Sequence, residues 1–200
     1  HKHIVDTVKI EKNGKVFTRV PEVLDCWFES GSMPYFDGRF PAQFIAEGQD
    51  QTRGWFYTLH VLAVALHGAP AFENVVVNGI VLAEDGKKMS KRLSNYPDPM
   101  EVMEKYGADS VRYYLMSTPV VRAENLRFSE AGVDEVSKKF VNILKNVVAF
   151  YELYREHDDN RIASNSHVLD KWIVARMNET LIDETVAFEK YELADAARVL

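Results

Sequence analysis

Lys88-Met89-Ser90-Lys91-Arg92 gathers cations in a chain of 200 residues whose formal net charge is -6. From Glu84 to Arg92 four cations stand against two carboxylates, so the stretch is locally basic and an anionic ligand is expected there. Asp85-Gly86 supplies the turn before it. Lysines on a glycine-tethered loop can swing onto a triphosphate and stabilise the leaving pyrophosphate, whose negative charge grows as its bond to the α-phosphate breaks. Charge alone is equally met by a solvated surface loop, the commoner origin of Lys/Arg runs. The rest of the chain decides between the two.

A second cluster, Glu47-Gly48-Gln49-Asp50-Gln51-Thr52-Arg53-Gly54-Trp55-Phe56, sets carboxylates, small residues, amides and an aromatic at one strand-to-helix junction. That combination suits an amino-acid pocket. Glu47 or Asp50 can hold an α-ammonium group by charge-assisted hydrogen bonds, Gly48 lets a ligand approach the backbone, and Trp55 offers a flat apolar wall. The plainer alternative makes Asp50 a helix N-cap and Trp55 part of the core, because an aromatic at helical spacing is usually packing. Asp25-Cys26-Trp27-Phe28-Glu29-Ser30-Gly31 adds a second tryptophan, and Asn78-Gly79-Ile80 sits in a β-branched run where a glycine permits a tight turn. His60 and His67 share a helix face but lack the spaced partners a metal needs, and are read as structural.

The elements that must position these residues follow from periodicity. Val5 to Glu11 and Lys15 to Val20 are β-prone runs joined by Asn13-Gly14, the pair that tolerates the positive φ angles of a type I′ hairpin. Phe44-Ile45-Ala46 reads as a buried strand leading into the Glu47 cluster, the place where α/β sites sit. From Thr52, apolar residues recur at helical spacing through Leu59, Leu62, Ala63 and Leu66 to a C-cap at Gly68. Val75 to Leu82 is β-branched and nearly unbroken, as expected for a strand covered on both faces; strand, helix, strand suggests a parallel sheet. After the lysine loop, Asp98 can cap a helix with Pro99 at its first position and Glu101 completing a capping box, and Gly107 ends it. Ala108 to Thr118 forms another short helix. Val133, Val136, Phe140, Ile143, Val147, Phe150 and Tyr154 then predict a long amphipathic helix, and after a polar gap, His157 to Ser166, a second runs from Leu169 to Phe188 as its antiparallel bundle neighbour.

Composition excludes several classes. With 46% hydrophobic and 27% charged residues the chain can bury a core. Its acidic balance argues against a protein that coats nucleic acid non-specifically. Cys26 is the single cysteine, which removes an internal disulfide framework and a Cys-based zinc site and favours a reducing, cytoplasmic setting. No stretch approaches the roughly 20 apolar residues of a membrane helix. The sequence starts without Met and ends on a helical pattern without a cap, which suggests an internal piece of a longer protein.

Lys88 to Arg92 resembles the Lys-Met-Ser-Lys-Ser signature of class I aminoacyl-tRNA synthetases, with Arg92 where the family most often has Ser. The variant ending in arginine is familiar in the eukaryotic-like branch of isoleucyl enzymes. The resemblance assigns Lys91 to ATP with Lys88 assisting. It likewise implies that Glu47, Gly48, Asp50 and Gln51 touch the aminoacyl adenylate, Trp55 the isoleucine side chain, Trp27 a second wall of that pocket, and Asn78 and Gly79 the adenine. The implied fold is α/β. Residues 1–20 would be the hairpin leaving an inserted editing region, 21–118 the second half of a Rossmann-type catalytic domain, and 119–200 a connecting region and the start of a helical anticodon-binding bundle, to which Leu169 to Ile173 and Tyr191 to Ala197 are similar. Isoleucine, ATP carried with Mg2+, and tRNA(Ile) are the implied substrates of a monomeric cytoplasmic parent, and no metal site is expected within the chain. The family's other signature, His-Ile-Gly-His, occurs nowhere in the 200 residues, so these residues alone are expected to be inactive. Valyl- and leucyl-type enzymes share the architecture, and a non-catalytic RNA-binding or assembly module would use the basic loop on phosphate backbone instead.

Overall fold

The computed structural model describes residues 1–22, 25–36, 38–155 and 167–200. The chain divides into two compact units, one made of His1–Gln43 and Asp50–Glu73, the other of Phe44–Gln49 and Asn74–Leu200. The polar gap expected from His157 to Ser166 lies outside the described residues.

In the first unit, a helical turn α1 (Lys2–Val5) precedes the hairpin β1 (Lys9–Lys12) and β2 (Lys15–Thr18). Asn13 and Gly14 take φ angles of 54° and 70°, as a type I′ turn requires, and the strands pair antiparallel with Lys12 opposite Lys15. The ladder is shorter than its β-prone sequence, because both strands are exposed on both faces and no packed face extends the pairing. Asp25 caps α2 (Cys26–Gly31) by accepting from the Trp27 amide at 2.8 Å. A 3₁₀ turn at Gln49–Arg53 leads through Gly54 into α3 (Trp55–His67), which ends on Gly68 at φ 63° as expected. Leu59 and Ala63 carry the buried stripe of α3, whereas Leu66 is exposed. His67 stacks on Phe40 at 4.3 Å between ring centres, a structural role.

In the second unit, β3 (Ala42–Gly48) pairs with β4 (Phe72–Asn78). Their burial corrects two expectations. Ile45 and Val76 are buried while Phe44 and Val75 are exposed, so the pair is covered on one face only; a two-stranded sheet offers no second layer to hide the other. The run from Val75 to Leu82 is also not one strand. It breaks after Asn78 and resumes as β5 (Val81–Leu82), which pairs in parallel with β6 (Leu126–Arg127). The 3₁₀ turn at Pro119–Arg122 supplies the cause: Val120 takes the Gly79 amide at 2.7 Å and Ala123 donates to Val77 at 2.8 Å, pulling the strand end out of line.

Helices complete this unit. Asp98 caps α4 (Pro99–Tyr106) through the Met100 amide at 2.7 Å, a single cap rather than the reciprocal box expected with Glu101. Gly107, at φ 86°, separates it from α5 (Ala108–Met116). The predicted long helix forms from α6 (Glu130–Val136) through a π turn at Ser137–Val141 into α7 (Asn142–Tyr154). Only its beginning is packed: Val133 is buried, whereas Val147 and Phe150 are 62% and 66% exposed. The helix α8 (Val168–Glu189) likewise exposes Trp172, Met177 and Leu181, so α7 and α8 do not bury their apolar stripes on each other as bundle neighbours would. What α8 does pack against is α9 (Leu193–Arg198), whose alanines are buried and whose Ala197 carbonyl accepts from Tyr113 Oη at 2.7 Å. Among the described residues no helix is long and apolar enough to cross a membrane.

Candidate functional site

The first unit holds the two tryptophans. Gly31 lets α2 lie against α3: a Cβ there would stand 2.9 Å from the Thr58 carbonyl carbon and its Cβ. That close approach puts the α2 backbone where Trp55 Nε1 donates to Ser30 O at 2.9 Å, which fixes the indole ring. Gly54 is the N-cap residue of α3, and Gln51 Oε1, not Asp50, accepts from the first helical amide, that of Trp55, at 2.9 Å. Asp50 stays exposed, its carboxylate accepting from Gln51 Nε2 at 3.4 Å. Trp27 is 47% exposed and lines a shallow pocket of about 160 Å³ with Tyr57, Val61 and Leu62. Gln51 and Trp55 thus meet where α3 begins, with Trp55 held as packing against α2; the pocket beside Trp27 is not lined by Trp55.

The second unit holds the rest. Glu47 ends exposed near the tip of β3, with Gly48 half-buried after it. Asn78 ends β4, and Gly79 opens the break before β5. Gly79 is required there, because a Cβ would collide with the Glu124 carbonyl oxygen. Asn125, which the sequence did not single out, closes the break by accepting from the Ile80 amide at 3.0 Å and from Gln49 Nε2 at 3.4 Å. An asparagine between ordinary loop residues carries no pattern that marks such a role.

The lysine loop leaves β5 through a tight turn. Gly86 sits at φ 80°, and Asp85 accepts from the Lys87 amide at 3.0 Å and pairs with Lys87 Nζ at 3.1 Å. These bonds, with the Lys87 amide first, hold the Asp85 carboxyl below the usual carboxylate range; Arg127 adds to the effect. Leu82 bridges Lys88 across the turn, and Ala83 N donates to Lys87 O at 2.9 Å. Met89 and Ser90 are half-buried, Met89 lining an apolar cavity of about 200 Å³ with Val81, Tyr96, Val102, Leu115 and Phe128. The side chains of Lys88 and Lys91 are exposed and have no partner among the described residues. A clamped backbone with two solvated ammonium groups is what a polyanion needs: the charges are available and the loop that aims them is already ordered.

Over residues 1–127 the sequence matches the family of class I tRNA synthetases (I, L, M and V). The chain belongs to this family. Among its curated relatives, the isoleucine–tRNA ligase of Protochlamydia amoebophila is 46% identical over 97% of this chain, and that of Chlamydia muridarum 51% identical over 88%. The chain spans about a fifth of the length of these relatives, 20% and 19% respectively. A solved ternary complex of the Agrobacterium radiobacter LeuRS with tRNA and LeuAMS superposes with a TM-score of 0.71 at 18% identity, covering 96% of this chain and 27% of that one. The class I synthetase fold is therefore shared, with small mixed sheets and helices. Among the described residues there is no group of three or more His, Cys, Asp or Glu side chains that could hold a metal ion.

Proposed function

We propose that this chain belongs to an isoleucine–tRNA ligase, an enzyme that joins isoleucine to ATP as isoleucyl adenylate and then to the terminal ribose of tRNA(Ile). The observation that carries the nucleotide part is the lysine loop, with its backbone tied to β5 and both Lys88 and Lys91 directed to water. The isoleucine part rests on identities of 46% and 51% to isoleucine–tRNA ligases.

In this reading Lys91, assisted by Lys88, neutralises the pyrophosphate as it leaves, and Mg2+ arrives on the triphosphate as part of the substrate. Glu47, Gly48, Asp50 and Gln51 hold the adenylate, Asn78 and Gly79 lie against adenine, and Trp27 and Trp55 wall the isoleucine side chain. No covalent nucleophile is needed; catalysis comes from aligning the carboxylate with the α-phosphate and from charge neutralisation. One methylene separates isoleucine from valine, a weak basis for discrimination for which isoleucyl enzymes are themselves the standard example. Residues 1–20 read as the hairpin leaving an editing insertion, 21–118 as the second half of the catalytic domain, and 119–200 as the connection to an anticodon-binding bundle, in a monomeric cytoplasmic protein. The missing His-Ile-Gly-His half leaves the 200 residues inactive by themselves.

Lys91→Ala in the full-length ligase tests the reading. Isoleucine-dependent exchange of labelled pyrophosphate into ATP should fall by roughly 100-fold or more, the scale of losing one preorganised charge contact, with tRNA affinity intact. Intact exchange together with lost tRNA binding would make the loop an RNA contact and sink the proposal. Exchange supported best by valine or leucine would move the assignment to those enzymes.

A further inference from the structure

Lys88 and Lys91 can aim at a phosphate only if the loop between them keeps its shape, and the shape depends on a residue beyond the signature. The half-buried Asn95 side chain reaches back under the loop: Oδ1 accepts from the Ser90 amide at 2.9 Å and Nδ2 donates to the Lys88 carbonyl at 3.2 Å. The two bonds straddle Met89, so one amide side chain substitutes for a missing strand along this segment. The chain is brought back to make this possible by Leu93 N on Ser90 O at 3.1 Å and by Ser94 at φ 46°. Opposite Asn95 the loop's base is held by the Leu82–Lys88 bridge. Ser90 N and Lys88 O point toward Asn95 and away from β5, and no other partner takes them among the described residues.

We propose that Asn95 is a positioning residue of the nucleotide site, a two-bond clip that fixes the Lys88–Ser90 backbone and through it the direction of both lysines. This rests on the reading of the loop as an ATP contact. It predicts a selective defect: substrates that meet the lysines suffer, and substrates that do not are bound as before. Because the clip needs a donor and an acceptor on one short planar group, neither Ala nor Asp can replace it. Asp keeps the size and the acceptor but turns a second oxygen toward the Lys88 carbonyl.

The test is pyrophosphate exchange by the full-length ligase, titrated separately in ATP and isoleucine, for N95A, N95D, K91A and the double variant N95A/K91A. Loss of the clip should lower kcat/KM for ATP by roughly 10- to 100-fold in N95A and N95D, the scale of two neutral hydrogen bonds, with KM for isoleucine and the unfolding temperature unchanged. In the double variant Asn95 should add far less than it costs alone, since it acts through the loop that Lys91 has already disarmed. Unchanged ATP kinetics in N95A and N95D while K91A is crippled would overturn the clip and leave the ATP reading standing. Normal exchange in K91A would overturn the ATP reading itself. Should N95A fail to fold, the isosteric N95D decides, and equal losses toward ATP and isoleucine there would reduce Asn95 to a general structural residue.

Discussion

Around Trp55 the side chain is held and the backbone is close-packed, whereas around Lys88 and Lys91 the backbone is held and the side chains are released to solvent. In the first region a glycine, Gly31, brings two helices into contact and Trp55 is pinned at both ends, its amide on Gln51 and its indole on Ser30. In the second, the bridge of Leu82 to Lys88 and the hydrogen bonds from Ala83 and Asn95 grip the main chain. The difference suits what each region is proposed to bind. An apolar side chain is recognised by a wall of fixed shape, so the wall must be packed. A phosphate is recognised by charge delivered along a bond direction, so the loop must be fixed while long cationic chains adjust.

Three substitutions probe that contrast. Gly79→Ala has the largest expected effect, because its Cβ collides with the Glu124 carbonyl, a backbone atom that can yield only if the β4–β5 break moves. We expect about 3 kcal/mol or more of destabilisation in urea unfolding of the second unit, with adenylate formation lost in the full enzyme. A near-wild-type midpoint would show that the break is pliable and that the lysine loop does not depend on it.

Gly31→Ala acts on the other region and should cost roughly 1–3 kcal/mol, the usual range for an inserted methyl in a tight helix contact. The clash is at 2.9 Å and includes the Thr58 backbone. Here the sharper readout is kinetic: KM for isoleucine should rise while KM for ATP holds, the mirror image of a change in the lysine loop. A shift in both constants would erase the distinction drawn between the two regions.

The smallest effect concerns Glu130, at the start of α6. Its carboxylate accepts from Lys105 Nζ at 2.7 Å and Tyr106 Oη at 3.0 Å, and these bonds, Lys105 first, hold its pKa below the ordinary value. A carboxylate with a depressed folded pKa adds stability above its unfolded pKa, about 4.3 for glutamate. That contribution disappears as pH falls through the lower folded value. Glu130→Gln should therefore lower the unfolding temperature slightly at pH 7, with the difference shrinking as pH falls below the unfolded value and through the lower folded one. The groups are exposed, so a small difference is the expectation. An undiminished difference in acid would exclude the ion pair as its cause.

Much of the site was legible before any fold was known. Lys88 to Arg92 stands out because the proposed phosphate contact needs residue types in a fixed short order, and Asn13-Gly14, Asp98-Pro99 and Gly107 because turns and caps are set by the φ angles and hydrogen bonds of a few adjacent residues. Which of Asp50 and Gln51 takes the first amide of α3 is not legible in the sequence, because both can accept a bond and only the path through Gly54 chooses.

What tertiary structure alone decided is which surfaces meet. Periodicity gave α7 and α8 apolar stripes, and it could not say that those stripes lie open, since burial depends on a neighbour and not on the stripe. The split at Gly79 comes from the approach of the Pro119–Arg122 turn, some forty residues along the chain. Asn125 became important only once folding set the Ile80 amide, 45 residues away, beside it. The sequence by itself determined the local turns, the caps and the cationic signature, because each depends on neighbours within a few residues. Long-range approach determined the break at Gly79 and which apolar stripes are covered, because a contact between distant segments exists only after the chain has folded.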